Sequence, residues 1–329
     1  MEDDRVLPGD FNDGNRAFLQ AFMARGTLTL REAQPIIAGI FTAQGRQFEP
    51  DQVTSEHMAS FIGAAAEAVS HFDYEVRSTM HQKLKQRLWA IVNTTSDPQT
   101  QLATLHTPDE IAFVKRVLDG MFEKYNTPRM EVMCLDEMQA NKLRSVPRVV
   151  NEEDVDDGEG AESQTQLKGL KPSEAEAMMR SMVEAGWFER SPEGLYGLSP
   201  RALLELRGWL IEAYNDPDAE PDEWQRIKMC EACKEIVTVG QRCADRDCNI
   251  RLHDICEDAF WRTRREKKCP KCETPWSGKH FVGERAVTET EAYQRGRRRS
   301  GKGRSSNLME QIMGNDENEE DENGFIEEE

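Results

Sequence analysis

The chain has 329 residues, 38% of them hydrophobic, and a formal net charge of −19 at pH 7, a length that suits two or three domains. Three acidic runs (151–166, 215–223 and 315–329) hold 21 of the acidic residues, so the remainder carries a charge of only about +2. The overall acidity therefore does not exclude a nucleic-acid partner. No run of eighteen apolar residues occurs, and the acidic start does not resemble a secretory signal, so we expect neither a membrane span nor secretion.

After a disordered segment at 1–14, residues 15–150 are predicted to form a first domain of helices followed by a hairpin. Apolar residues at helical spacing predict a first helix, Thr29 and Glu32 form a capping box for a second, and Ser55 can cap a third. Alternating apolar residues then predict a hairpin: Phe72, Tyr74, Val76, Leu88, Ala90 and Val92. Three helices followed by a hairpin is the order of a winged-helix domain.

A further helix is predicted from Thr107 to about Tyr125, because a cap, a proline and a glutamate stand at its first positions. Its predicted buried residues are Ile111, Val114, Leu118 and Phe122. The acidic segment 151–166 is predicted to be a linker, since it has almost no large apolar residues.

Residues 167–214 are predicted to form a second, smaller winged-helix domain. Ser173 and Glu176 are predicted to cap its first helix, and Ser199 its last. Between them, the stretches 187–190 and 195–198 flank a turn of Ser, Pro, Glu and Gly, which predicts a short hairpin. A second acidic linker, 215–224, precedes the next domain.

Seven of the eight cysteines and one histidine lie within residues 230–272, a clustering typical of metal binding in an intracellular protein. The predicted ligands are Cys230, Cys233, Cys243, Cys248, His253, Cys256, Cys269 and Cys272. Zinc takes four such ligands in a tetrahedron, so eight ligands predict two Zn²⁺ ions in closed structural sites. The ions could be held by interleaved pairs of ligands or by two consecutive sets of four.

The order of four cysteines, one histidine and three cysteines resembles the RING and PHD families, in which the pairs interleave. This resemblance implies that Cys230, Cys233, His253 and Cys256 hold one ion and that Cys243, Cys248, Cys269 and Cys272 hold the other. The predicted domain covers 225–281. A disordered tail is predicted at 282–329, with basic residues clustered at 295–304 before the acidic end.

A RING domain docks a ubiquitin-conjugating enzyme and contributes no covalent residue, so no catalytic residue is predicted. By resemblance, the docking candidates are Ala232, Ile236 and Pro270. Glu273 stands where the RING pattern has a basic residue, which favours weak activity in the absence of a partner. Lys267 stands where PHD domains carry a tryptophan, which counts against binding of methylated histone tails.

Together, the paired winged helices, the hairpin from Gly186 to Tyr196 and the Cys–His series resemble the RING-containing first non-SMC element of the SMC five–six genome-maintenance complex. The resemblance implies a MAGE-type winged-helix partner, a kleisin-like partner, nuclear localisation, DNA repair, and ubiquitin ligase activity enhanced by the MAGE-type partner. The predicted third helix, Glu56 to Ser70, has no Lys or Arg, which favours protein docking over direct DNA reading by that helix. Any DNA contact is expected to be indirect.

The predicted fold is therefore an α+β multidomain protein with two winged-helix domains followed by a RING/PHD-like cross-brace zinc domain. The predicted function is that of a RING-type ubiquitin ligase subunit. Two alternatives remain, a non-catalytic structural adaptor of the same complex and a chromatin-reading PHD-like protein.

Overall fold

The computed structural model describes residues 11–94, 105–146, 168–220 and 223–300 together with Ile312, and for 297–300 it describes the backbone alone. The predicted linker 151–166 and the acidic end of the tail lie outside these ranges. The chain divides into two compact units, one of residues 1–97 and 199–213, the other of residues 98–198 and 214–329. Both mix helices and strands. Among the described residues, helices are too short or too polar to cross a membrane.

The first unit contains three helices and a three-stranded antiparallel sheet, followed by a returning helical segment. Its elements are α1 (Asp13–Arg25), β1 (Thr27–Thr29), α2 (Leu30–Ala43), α3 (Ser55–Ser70), β2 (Tyr74–Met80), β3 (Arg87–Asn93), α7 (Pro200–Glu205) and most of α8 (Arg207–Tyr214). The sheet order is β1-β3-β2, so β3 lies in the middle. This arrangement confirms the predicted hairpin and the predicted order of three helices before it.

Side chains at the starts of these helices cap backbone N–H groups that lack helical partners. The capping box of Thr29 and Glu32 is confirmed. For α3 the predicted cap is wrong by one residue, because Thr54 accepts the hydrogen bond from the backbone N–H of His57 and Ser55 is already the first helical residue.

The two faces of the sheet bury different partners. One face carries Val76, Trp89 and Ile91 against the apolar side of the three helices, whose fully buried residues include Phe18 and Phe22. The other face is covered by α7, as the cluster of Leu88, Ala90, Val92 and Leu204 shows. From the sequence, α7 was predicted to belong to the second winged-helix domain. In the structure it belongs to the first unit, where Leu204 packs on the central strand.

The second unit begins with a long helical segment and a small hairpin. Its first elements are α4 (Pro108–Asp119), a π-helical turn (Gly120–Lys124), α5 (Glu137–Lys142), α6 (Pro172–Glu184), β4 (Phe188–Arg190) and β5 (Tyr196–Leu198). The capping box at Thr107 and the hairpin are confirmed. The predicted box at Ser173 is wrong, because Pro172 is the first residue of α6 and Glu174 bonds back to the amide of Lys171.

The buried residues of α4 and the π-helical turn include three of the four that were predicted. Val114, Leu118 and Phe122 are buried, while Ile111 is only half-buried. The π-helical turn adds a residue to the helical winding and brings Met121 and Phe122 into the core together.

The rest of the second unit is built around another three-stranded sheet, of order β7-β6-β8. Its elements are β6 (Gly240–Arg242), β7 (Arg251–Leu252), α9 (Asp254–Arg262), β8 (Phe281–Val282), α10 (Arg285–Thr288) and α11 (Glu291–Ser300). Residues 282–300, which the sequence placed in a disordered tail, thus contain two helices. The burial of Val287 and Tyr293 accounts for this difference.

Candidate metal centre

Turns, strand ends and the first turn of α9 bring the eight predicted ligands into two groups. The first group contains Cys230, Cys233, His253 and Cys256, and the second contains Cys243, Cys248, Cys269 and Cys272. Within each group the ligand atoms lie within 4.8 Å of one another. Each group brings together two pairs of ligands, and in the sequence a pair of the other group lies between them. This interleaved arrangement is a cross-brace.

Distances inside the groups fit tetrahedral zinc. A Zn–S bond of about 2.3 Å places two sulfurs of one tetrahedron roughly 3.8 Å apart. The Sγ atoms of Cys243 and Cys272 are 3.4 Å apart, and those of Cys248 and Cys269 are 3.5 Å apart. Four such ligand atoms rarely lie this close together without a metal ion between them. The two groups therefore bind two zinc ions.

The ring of His253 is oriented for coordination through Nδ1. This atom lies 3.3 Å from the Sγ atom of Cys233 and 3.9 Å from that of Cys256. On the other side, Nε2 lies 3.1 Å from the carbonyl oxygen of Ile236. A proton on Nε2 donated to this carbonyl leaves the lone pair of Nδ1 free for the metal, as is usual for histidine ligands.

The docking candidates do not share one environment. Ala232 and Pro270 are exposed, the first between two ligands of the first group and the second between two ligands of the second. Ile236 is only 3% exposed, and its carbonyl oxygen faces His253. The proposal that Ile236 contacts a conjugating enzyme is therefore incompatible with its position, because the side chain belongs to the core of the zinc domain.

A buried carboxylate, Glu131, connects the zinc domain to the segment that follows α4 and its π-helical turn. The Oε2 atom of Glu131 accepts a hydrogen bond of 2.7 Å from Arg251, and its Oε1 atom pairs with Arg251 again and with Lys228 at 2.9 Å. Arg242 Nη1 lies 3.7 Å from the same oxygen. The four side chains are at most 6% exposed, so the network is shielded from water.

Hydrogen bonds to backbone groups near Glu131 add to this connection. Arg242 Nη1 donates to the carbonyl oxygen of Pro128 at 2.7 Å, and the amide of Gly283 donates to that of Glu131 at 2.7 Å. A β-carbon at Gly283 would lie 2.1 Å from the carbonyl oxygen of Thr238, so only glycine allows this approach. We refer to Glu131, Lys228, Arg242 and Arg251 as the Glu131 network.

The charges in the Glu131 network shift one another's pKa values. Burial alone would raise the pKa of Glu131, but the hydrogen bond from Arg251 and the three nearby cations hold it at about 2. Burial lowers the pKa of Lys228 to about 7, against the attraction of Glu131. At neutral pH, two arginines and a partly protonated Lys228 against one carboxylate leave an excess of positive charge beside the zinc groups. Because zinc bound by three or four thiolates is anionic, this excess is electrostatically favourable.

A second polar connection holds α9 against the sheet. The Nε2 atom of Gln241 donates to Asp254 at 3.0 Å and to Glu257 at 2.7 Å, and its Oε1 atom accepts from the indole of Trp276 at 2.9 Å. Trp276 also packs against Trp261, with ring centroids 5.6 Å apart. Both tryptophans are buried and belong to the core of the zinc domain.

The Glu131 network was not predicted from the sequence. One signal was present, since each of the three cations stands one or two residues before a predicted ligand, at Lys228, Arg242 and Arg251. Their common partner could not be found in the same way, because Glu131 lies 120 residues from Arg251 in the chain.

Comparison with known proteins agrees with these features. The family model described as "Nse1 non-SMC component of SMC5-6 complex" matches residues 15–206, and a RING-like domain model matches residues 230–272. The human protein "Non-structural maintenance of chromosomes element 1 homolog" is 23% identical over 82% of this chain and 85% of its own length. The Schizosaccharomyces pombe protein "Non-structural maintenance of chromosomes element 1" is 22% identical over 75% of this chain and 89% of its own length.

A chain of the solved "Nse1-Nse3-Nse4 complex" has a similar fold, with a TM-score of 0.60 and 18% identity over 83% of this chain and 98% of that one. The family model alone spans more than half of the chain, and the RING-like model covers both groups of zinc ligands. The chain therefore belongs to the family of Nse1 non-SMC components of the SMC5-6 complex.

Proposed function

We propose that this protein is a RING-type ubiquitin ligase subunit of a nuclear SMC5-6 complex that acts in DNA repair. Membership of the Nse1 family and the RING-like zinc domain support this function. The observation that carries it is the exposure of Ala232 and Pro270, one on each of the two ligand loops of the cross-brace. These loops are where RING domains generally receive a conjugating enzyme.

The chemistry follows from the closed zinc sites. The chain fills all four positions around each ion, so the zinc supplies folding energy and rigid loops, and no metal-bound water is available. In the reaction, an acceptor lysine attacks the thioester between ubiquitin and the conjugating enzyme, and the enzyme's thiolate leaves. This protein contributes by holding the conjugating enzyme in a productive orientation, so its residues lower the barrier through positioning.

The assembly partners in this proposal are a MAGE-type winged-helix subunit and a kleisin-like subunit, which dock on two winged-helix domains of this chain. The order of α1, α2, α3 and the β2–β3 hairpin supports the first winged helix, and α6 with the β4–β5 hairpin supports the second. The absence of Lys and Arg from α3 supports a protein partner for that helix. The likeness in fold to a chain of the Nse1-Nse3-Nse4 complex supports the same composition.

An autoubiquitination assay of the zinc-loaded chain, with and without a MAGE-type partner, tests the ligase. We expect Pro270→Ala to lower the rate about fivefold or more, the usual effect of losing a central interface contact. Pro217→Ala is the matched control, because Pro217 is also exposed but lies outside the zinc domain. The zinc-ligand variant Cys243→Ser sets the background. A rate for the wild type no higher than this background, across a panel of conjugating enzymes, would refute the ligase.

A structural adaptor is the second candidate function, and two observations favour it. Glu273 places a negative charge where RING ligases use a positive one, and the Glu131 network fixes the zinc domain to the segment after α4. For an adaptor, Cys243→Ser would disrupt co-purification of the partner subunits, while Pro270→Ala would leave assembly and cellular function unchanged. Loss of ubiquitin transfer with intact assembly in Pro270→Ala would rule out a purely structural role.

A further inference from the structure

The β2–β3 hairpin of the first unit ends in an exposed basic tip that has no role in the ligase proposed above. Residues 74–93, which form the hairpin, contain four cations and one acid, Glu75, which pairs with Arg77. One of the four, Arg77, already donates to the carbonyl oxygen of Leu204 at 3.2 Å. The other three, Lys83, Lys85 and Arg87, are exposed. A concentrated patch of one charge sign attracts a partner of the opposite sign.

The tip, residues 81–87, is an ordered turn. The amide of His81 donates to the carbonyl oxygen of Gln86 at 2.8 Å, and the amide of Lys85 donates to that of His81 at 3.2 Å. The Nδ1 atom of His81 accepts from the amides of Lys83 and Leu84 at 3.2 and 3.4 Å. The backbone of the tip is therefore held in place before any partner binds, which reduces the entropy lost on binding.

Lys85 itself occupies a costly backbone conformation. Its φ is +54°, in the left-handed region where glycine or asparagine is the usual residue. A lysine at this point of a tight turn places a positive charge at the end of the hairpin. Leu84, beside it, is 60% exposed, so the tip presents one apolar side chain between two cations.

We propose that this tip binds duplex DNA directly, with Lys83, Lys85 and Arg87 against phosphates and Leu84 at the edge of the minor groove. Phosphate contacts from Lys and Arg supply most of the affinity of sequence-independent DNA binding. A narrow tip with an apolar side chain suits a groove, where such residues contact sugars and base edges. Leu84 and the neighbouring Met80, which is 37% exposed, offer too little apolar surface for stable attachment to a membrane, which takes two independent anchoring elements.

Fluorescence anisotropy with a labelled duplex and the full zinc-loaded chain tests the proposal at salt concentrations from about 50 to 200 mM. Each phosphate contact contributes about 0.9 to the slope of log K against log salt. The variant Lys83→Ser/Lys85→Ser/Arg87→Ser should therefore lower this slope by about 2 to 3, and the affinity at least tenfold at the lowest salt. Leu84→Ser should lower the affinity severalfold and leave the slope unchanged.

The matched control removes three exposed cations from the zinc domain, Arg262→Ser/Arg265→Ser/Lys279→Ser, and has the same net charge as the tip variant. We expect it to keep a slope within about 1 of the wild type. An equal loss in both triple variants, or a tip variant within threefold of the wild type, would overturn the proposal. Binding to phosphatidylserine vesicles without binding to the duplex would also overturn it. Unchanged amide exchange in β3 shows that the first unit is intact in the tip variants, and unchanged zinc content shows the same for the zinc domain in the control variant.

Discussion

Replacing Glu131 with glutamine tests how far the zinc domain depends on a residue outside it. The substitution keeps the size of the side chain and an oxygen acceptor but removes the negative charge. Lys228, Arg242 and Arg251 would then lie together in a site shielded from water. Arginine does not lose its proton in proteins, so the variant must either tolerate buried positive charge or open the site.

The size of the effect follows from the environment of Glu131. Its pKa is lowered from 4.5 to about 2, which corresponds to roughly 3 kcal/mol of stabilisation of the charged form. Loss of one partner from a buried ion pair costs about 3–5 kcal/mol, which is of the same order. Release of a proton from Lys228, whose pKa is about 7, offsets part of this cost. We therefore expect a loss of about 3 kcal/mol at neutral pH.

The sign of the pH dependence is fixed by the direction of the shift. Because the folded pKa lies below the unfolded one, the contribution is fully present above about pH 4.5 and is lost as the pH falls towards 2. The difference in stability between the wild type and Glu131→Gln should therefore not decrease from pH 7 to about 5, where Lys228 of the variant can still take up a proton, and it should shrink at lower pH as Glu131 is protonated.

Native-state hydrogen exchange measures this loss locally. The amides of Arg242 and Cys243 donate to the carbonyl oxygens of His280 and Ile250, so their exchange reports opening of the zinc domain. A loss of about 3 kcal/mol should speed their exchange about a hundredfold. Glu137→Gln is the control, since Glu137 forms an exposed ion pair with Arg190, and a change below about threefold is expected. A change in Glu131→Gln as small as in this control would refute the reasoning.

Two further substitutions, one in each unit, test the packing of the protein. Leu204→Ala should destabilise the first unit by about 2–4 kcal/mol, seen as faster amide exchange in β3, whereas Leu105→Ala, at an 82% exposed residue, should leave that exchange unchanged. Gly283→Ala should accelerate zinc release to a chelator by at least tenfold, because the new β-carbon would lie 2.1 Å from the carbonyl oxygen of Thr238. Gly186→Ala has the same φ of +75° but open space around it, and should cost only about 1 kcal/mol. Zinc release at equal rates from the two glycine variants would contradict the steric argument.

Local signals predicted the zinc site and most helices correctly. Ligand spacing such as Cys230-x₂-Cys233 acts within a single turn, and a capping box such as Thr29 with Glu32 acts within four residues. Neither depends on the rest of the fold, so both can be recognised in one sequence. The same locality explains the error at Ser173, where Pro172 offered an equally good first helical residue and the true cap, Lys171, lies two positions before the predicted one.

Long-range features could not be predicted in this way. The pairing of Glu131 with Arg251 and the packing of Leu204 on β3 join residues more than a hundred positions apart, and no periodicity marks either of them. Ile236 was misjudged for a related reason. An apolar residue near a zinc ligand can face outwards to a partner or inwards to the core, and only the path of the surrounding chain decides between these orientations.

The return of α7 to the first unit has a practical consequence for dissecting the protein. A fragment that stops at residue 97 would lack Leu204 and would leave the apolar side of the central strand, at Leu88, Ala90 and Val92, open to water. Such a bare strand surface promotes self-association. Binding or aggregation measured on that fragment would then report on a surface that the intact chain keeps covered. Fragments of the first unit should therefore carry residues 199–213, joined to residue 97 by a flexible linker.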